Sequence, residues 1–331
     1  MFDEVITDSY QLAQKCIVRD GFVFVSVTNP PNVYDGLLIK VRNENNGISF
    51  QCFDSNKTVQ EHIDYFNNLK LEKAYIYTDD LTILNELKTL KYLSLVLLSD
   101  KMPIDFTPLY DAQHLISLSI STVDFEPLAN PVDCTKFKSL EFFSVNGQDI
   151  INLSSLPSVK TLLISNDRSN NLYNVFSSED LDVLMMTQCR IRSLDGIEQS
   201  KSMQCLYLYY NRCLENIEAL TNTKHTLRAL RIENCSKIKD FSVLSKLDNL
   251  EHLILVGSNT LQNLNFLKNM KKLKTFVFDY DVLDGDLSLC KKISYVYSGK
   301  NRKHFNCKDK DLPKGKYYHG YDNIEQWRRY Q

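Results

Sequence analysis

The sequence predicts an α/β solenoid: a curved parallel sheet of about eleven stacked repeats, with a β-rich N-terminal cap and a short C-terminal cap. Three observations predict it. Leucine or a stand-in returns every 19 to 25 residues from about residue 71 to residue 298, in the frame L-x-x-L-x-L. The clearest copies are Leu90–Leu95, Leu181–Met186 and Leu250–Leu255. The segments on either side of that array lack the frame, so the chain divides into an N-terminal cap at 1–70, the array at 71–298 and a basic C-terminal cap at 299–331.

The N-terminal segment holds three strand-like runs, Phe22–Val27, Leu37–Val41 and Ile48–Phe53. Asn29-Pro30-Pro31 and Asn43–Gly47 are turn signals between them, which points to a small antiparallel sheet covering the first core edge. Thr58-Val59-Gln60-Glu61 matches a capping box, and Val59, Ile63 and Phe66 fall on one helical face. A helix is expected at about 58–69.

The fourth position of each frame marks a strand centre: Ala74, Leu93, Leu118, Phe143, Leu162, Leu184, Leu206, Leu230, Leu253, Phe276 and Val296. The middle repeats are the most regular. The early ones carry insertions at Met102–Asp105 and Pro127–Val132. Five residues after each centre, a polar side chain is needed where the chain turns inward. Asn211 and Asn301 fit, Cys189 and Cys235 are substitutes, and Ser258, Asp167 and Asp281 are polar variants. Leu98 and Val123 depart from the pattern.

On these residues the chain resembles the leucine-rich-repeat proteins. The stretches Ile191–Ile197 and Ile238–Leu244 look like the 22-residue class found in bacterial internalins and in a phosphatase regulatory subunit. The resemblance covers roughly two-thirds of the chain. It implies a binding scaffold without naming what is bound.

The tail has seven Lys or Arg against two Asp between Lys300 and Lys316. Asp322-Asn323-Ile324-Glu325 then opens a short capped helix with Trp327, the sole tryptophan, whose expected role is to seal the last repeat.

Composition narrows the function. The net charge of −2 favours neither nucleic acid nor an anionic membrane. The nine cysteines form no C-x-x-C pair and suit a reducing compartment. The acidic start Met1-Phe2-Asp3-Glu4-Val5 lacks the basic and apolar regions of a signal peptide, so a cytoplasmic location is expected. No nucleophile elbow, phosphate loop, dinucleotide fingerprint or zinc-protease motif is present, so no enzyme activity, cofactor or metal is expected. The carboxylate run Asp279–Asp286 spaces its acids wrongly for a calcium loop, with Cys290 at the twelfth place, and reads as a polar turn.

Residues flanking the buried leucines point to the opposite, concave face, because strand side chains alternate. Eleven strands make a band of roughly 50 Å at about 4.8 Å each. That suits a folded protein better than a metabolite. The expected partner-binding set is Tyr75, Tyr77, Tyr92, Tyr207, Tyr209, Tyr210, Arg231, Glu233, His252, Asp279, Tyr280, Tyr295 and Tyr297. Tyrosine offers large contact area at small entropic cost and is enriched at hot spots. Glu233, Asp279 and Asp281 disfavour a nucleic-acid platform, which needs a basic groove. The expected function is non-catalytic protein binding by a chain that is monomeric when free. The chain resembles intracellular bacterial immunity proteins that neutralise a toxin by covering it. An acidic stripe would suit a toxin with a basic surface. A regulatory subunit of a phosphatase or other enzyme is the alternative, and an enzyme with a concave-face site the more distant one.

Overall fold

Every strand centre expected from the leucine frame lies in a strand of the computed structural model, and every one is buried. The structure describes residues 16–19, 22–26, 36–44, 47–52, 59–78, 80–97, 102–122, 127–176 and 178–318. Before residue 60, and at His62, Tyr65, Lys73, Tyr75 and Tyr77, it describes backbone alone. The expected capping box at Thr58, the turn at Asn29–Pro31, the turns at Leu98 and Val123 and the helix bearing Trp327 lie outside the described residues.

Among the described residues the chain forms two compact units, one running through Val145 with Asp149–Ile151, the other comprising Asn146–Gln148 and 152–318. In the first, β1 (Cys16–Arg19) and β2 (Phe22–Ser26) form an antiparallel hairpin. β3 (Gly36–Glu44) pairs antiparallel with β4 (Gly47–Cys52). Helix α1 (Val59–Asn68) buries Ile63 and Phe66. Parallel strands β5 (Lys73–Thr78), β6 (Tyr92–Leu97) and β7 (Ser117–Thr122) follow, with helix α2 (Thr107–Asp111) before β7. The two-residue strand β8 (Val132–Asp133), β9 (Phe142–Asn146) and the two-residue β10 (Ile150–Ile151) complete the unit's pairings.

The N-terminal strands differ from the expectation in two ways. Cys16–Arg19 is an additional strand. Leu37–Val41 belongs to the longer β3, which is not confined to a separate antiparallel sheet. β3 lies parallel to β5, with Leu37 opposite Ala74, and so supplies the hydrogen-bonding partner that the first strand of a repeat array otherwise lacks. The two early insertions lean on each other: Asn130 accepts from the Ile104 amide at 2.8 Å and donates to the Ile104 carbonyl at 2.9 Å.

The second unit is a run of parallel strands: β11 (Thr161–Ser165), β12 (Val183–Thr187), β13 (Cys205–Tyr209), β14 (Ala229–Glu233), β15 (His252–Val256), β17 (Thr275–Phe278) and β19 (Tyr295–Ser298). The two-residue strands β16 (Thr260–Leu261) and β18 (Asp281–Val282) pair at the turn edge. The register is that of the frame: Leu162, Leu184, Leu206, Leu230, Leu253, Phe276 and Val296 stand opposite one another in succession. Short 3-10 turns return the chain to the next strand, including Glu218–Thr223, Ser242–Lys246, Asn265–Lys268 and Ser288–Lys292. Asn216, Asp240, Asn263 and Asp286 open these turns, each accepting the amide two residues on at 2.7–2.9 Å. One parallel strand per repeat, a buried leucine ladder and a compact return segment make this the leucine-rich-repeat fold.

The inward turns explain the Asn and Cys positions. Asn211 Oδ1 accepts from the Cys189 amide at 2.8 Å, and Asn211 Nδ2 donates to the Met186 carbonyl at 3.0 Å. The Cys189 thiol donates to the carbonyls of Thr187 and Ile164, and the Cys235 thiol to those of Glu233 and Leu208. Three expected turn residues are displaced: Ser258, Asn301 and Asp281, the last because the adjacent Tyr280 is the buried residue of its turn. Ser258 is exposed, and Asn259, one residue later, is buried and donates to the carbonyls of Cys235 and Ile238. Gly257, at φ +135°, accommodates this longer turn. Asn301 is exposed and accepts from the Asp309 amide at 2.7 Å instead of turning inward.

Candidate functional site

The face opposite the leucine ladder has rows set by strand register. The first row, at the strand starts, is Thr161, Val183, Cys205, Ala229, His252 and Thr275. It consists mainly of small side chains, and every member is buried. The second row includes Leu163, Met185, Tyr207 and Arg231. Val183, Cys205, Tyr207 and Ala229 form an apolar cluster against which Leu163, Met185 and Tyr209 pack. A further row lies at the strand ends. Four residues beyond each centre, Asn166, Gln188, Tyr210 and Asn234 adopt left-handed backbone at φ 54–56°. Their amides donate to the Thr187, Tyr209, Glu233 and Val256 carbonyls of the following repeat at 2.8–2.9 Å.

The expected binding residues divide by environment. Tyr210 is 40% exposed, just past the end of β13, and Tyr297 is 45% exposed, within β19 in the row of Tyr207 and Arg231. Tyr92, Tyr209 and Tyr295 are half-buried. The Arg231 guanidinium lies 4.9 Å over the Tyr209 ring and pairs with Glu233 at 2.6 Å. Tyr75 and Tyr77 occupy β5, and their side chains lie outside the described residues.

Three expectations of exposure fail. Tyr207 sits on the expected face, opposite Met185 and Arg231, yet is 4% exposed. His252 is also 4% exposed, with its Nδ1 2.8 Å from the Tyr318 carbonyl and its ring edge-on to Tyr317 at 5.7 Å. Tyr280 is not on the open face: it is 1% exposed and meets Phe241 edge-on at 5.5 Å. Its repeat turns inward one residue early, so Tyr280 takes the buried place that Asn211 fills in its own repeat. Burial pushes its hydroxyl well above the ordinary range.

The carboxylates are not a free acidic stripe. Glu233 is held by Arg231. Asp279 accepts from the Gly257 amide at 2.6 Å and faces Lys300 at 3.4 Å. Asp281 pairs with Arg302 at 3.0 Å and lies 3.1 Å from His304. Part of the basic tail therefore neutralises the acids of the last repeats. The Asp279–Asp286 run is a polar turn, with Asp284 and Asp286 accepting backbone amides.

The basic tail crosses onto the open face, a route that the leucine frame does not signal. Lys314 pairs antiparallel with Tyr295 in β19 and reaches over Tyr295 and Tyr297. Tyr317 then stands edge-on to both Tyr295 and His252. Tyr318 exchanges hydrogen bonds with the Thr275 hydroxyl: its amide donates to Oγ1 and its carbonyl accepts from it, both at 3.0 Å. The adjacent aromatic pair at 317–318 was the available signal.

Nucleophilic chemistry finds little support in the buried thiols. Burial pushes Cys134, Cys189, Cys205 and Cys290 up to about 12, and Cys235 up to about 11, so each is a neutral thiol near pH 7. Among the described residues, no cluster of three His, Cys, Asp or Glu could hold a metal, and no helix is long and apolar enough to cross a membrane.

No protein-family model matches the sequence, and no curated protein matches it. The chain is similar to two solved leucine-rich-repeat structures. An internalin (inlF) from Listeria monocytogenes is 14% identical, over 79% of this chain and 90% of that one, with a TM-score of 0.41. The protein LIC12759 of Leptospira interrogans is 11% identical, over 74% of this chain and 82% of that one, with a TM-score of 0.37.

Proposed function

We propose that this chain is a non-catalytic scaffold that binds a protein through its open face, with Tyr210, just past the end of β13, and Tyr297, within β19, as anchors. One observation carries the reading. Tyr210 holds left-handed backbone at φ +54°, a position that other repeats fill with Asn166, Gln188 and Asn234. Asparagine adopts that conformation at low cost and tyrosine does not. A 40%-exposed tyrosine in a conformation that disfavours it suits a partner contact.

The finer reading is an intracellular immunity protein that neutralises a toxin by covering it. The exposed or half-buried rings of Tyr209 and Tyr210 at β13 and of Tyr295 and Tyr297 on β19 support this. Because Glu233, Asp279 and Asp281 are already paired, complementarity to that partner rests on these tyrosines more than on an acidic stripe. The test is capture of the partner from the native cell with the unaltered chain, followed by affinity measurements with Tyr210→Ala and Tyr297→Ala. Each substitution is expected to weaken binding by about 2 kcal/mol. The immunity reading also requires that the captured protein be toxic and that its toxicity be suppressed by the chain. Equal affinity of both folded variants would remove this face as the binding surface.

A further inference from the structure

The return side of the second unit is strongly basic, although the whole chain carries a net charge of −2. The four return segments 218–228, 242–251, 265–274 and 288–294 hold nine Lys or Arg against three carboxylates. Two of those carboxylates are taken. Glu218 pairs with Lys246 at 2.5 Å, and Glu251 with Arg228 and Lys274 at 2.6 and 2.5 Å. Among the described residues, Lys224, Lys268, Lys271, Lys272, Lys291 and Lys292 are exposed and have no carboxylate partner. We propose that these lysines form a second interaction surface, whose partner is an extended, acidic segment of a protein. The surface lies on the return segments, apart from Tyr210 and Tyr297, so it does not rest on binding through the open face.

Three features support that partner. The first is continuity. The return turns Glu218–Thr223, Ser242–Lys246, Asn265–Lys268 and Ser288–Lys292 stack in order, each against the next, so the lysines that end or follow them fall in one column. Strand intervals of about 4.8 Å make that column about 14 Å long or more, the span of about five residues of extended chain. Like charges held side by side repel one another, and a partner carrying carboxylates along the column removes the repulsion. The second is a seat. An open notch of about 550 Å³ lies between His225, Asn249, Asn269, Lys271 and Lys272. Its walls are tied together. Asn249 Nδ2 donates to the His225 carbonyl at 2.9 Å, Asn269 Nδ2 to the Ser245 carbonyl at 3.0 Å, and the Lys272 ammonium to Asn249 Oδ1. A seat built before binding costs less to order, and this one has room for an Asp or Glu side chain. The third is the kind of cation. Every unpaired one is a lysine, a point charge suited to single carboxylates. The planar fork of arginine, which grips phosphate in two places, is absent from the unpaired set. The four segments also expose no aromatic ring besides His225, whereas a single-stranded nucleic acid needs rings to stack on.

Asp248 sharpens the test, because it is an exposed carboxylate on the notch and opposes an acidic ligand there. The measurement is fluorescence anisotropy of a labelled peptide of alternating Glu and Ser, titrated with the full-length chain at about 0.1 M salt, where charges more than about 10 Å apart are largely screened. Saturable binding that weakens as salt rises is expected. Lys271→Glu with Lys272→Glu should lower the affinity tenfold or more, as should Lys291→Glu with Lys292→Glu. Asp248→Asn should raise it severalfold. Lys237→Glu with Lys239→Glu makes the same change in net charge beyond the end of β14, and should alter affinity less than twofold. Circular dichroism checks that each variant is folded. The proposal is overturned if the unaltered chain does not bind the peptide, if Lys237→Glu with Lys239→Glu costs as much as the column variants, or if Asp248→Asn changes nothing. Tighter binding of oligo-dT or of phosphatidylserine vesicles through the same lysines overturns it too, by assigning the column to a different partner. No readout involves Tyr210 or Tyr297, so failure here is separable from failure of the open-face reading.

Discussion

Asn211 closes the turn of the repeat before its own: it accepts the Cys189 amide at 2.8 Å and donates to the Met186 carbonyl at 3.0 Å, and it is fully buried while doing so. Both backbone groups lie where water cannot replace the side chain, so the cost of losing it is that of stranding buried polar groups.

Asn211→Ala should therefore destabilise the chain by about 2–6 kcal/mol, allowing about 1–3 kcal/mol for each of the two stranded groups. Asn211→Cys should cost less. Cys189 and Cys235 serve their own turns through thiols that reach two carbonyls at 3.5–3.7 Å. Urea unfolding of both variants decides the order. If alanine and cysteine cost the same, the side chain's hydrogen bonds are not the source of the loss.

A second prediction concerns pH. Glu251 links three repeats, meeting Arg228 at 2.6 Å and Lys274 at 2.5 Å. Desolvation raises its pKa, but the hydrogen bonds from Lys274 and Arg228 outweigh it, so the carboxyl lies below its usual range. A depressed folded pKa means stability that is present above the unfolded value and lost as pH falls through the folded one. The stability gap between the unaltered chain and Glu251→Gln should thus be full near neutrality and shrink in the acid range. A gap that stays constant down to pH 3 would assign the effect to packing.

A third prediction tests the strand-end row. Gln188 is exposed at φ +56°. A β-branched residue is a true outlier there, so Gln188→Val should cost about 1–2 kcal/mol despite touching little. Gln188→Gly should change stability by less than about 1 kcal/mol, because relief of strain and loss of unfolded-state restriction oppose each other. Comparable losses in the two variants would mean the backbone conformation is not what matters.

The leucine ladder was legible because one rule, alternation across a strand, fixes both register and burial. Leu184, Leu206, Leu230 and Leu253 follow it without exception. The turns were less legible. Asn259 and Tyr280 each lie one place from the expected inward position, in opposite directions, and a fixed offset of five cannot register such slips. The return-turn acceptors Asn216, Asp240, Asn263 and Asp286 recur at intervals of 23 or 24, but they lie outside the leucine frame. The open face was the hardest to read. His252 is covered by Tyr318, 66 residues away, and no local pattern around either residue signals the meeting.

The left-handed row also bears on how such a chain can change over generations. From Leu162 to Asn166, Leu184 to Gln188, Leu206 to Tyr210 and Leu230 to Asn234 the spacing is always four, while successive centres lie 22, 22 and 24 residues apart. Each amide in that row is committed to the neighbouring repeat, so an added residue there would break a rung on both sides. Insertions and deletions are thereby steered to the return segments. The strand-end rim can exchange one side chain for another and so alter what it recognises, while its backbone stays at fixed pitch.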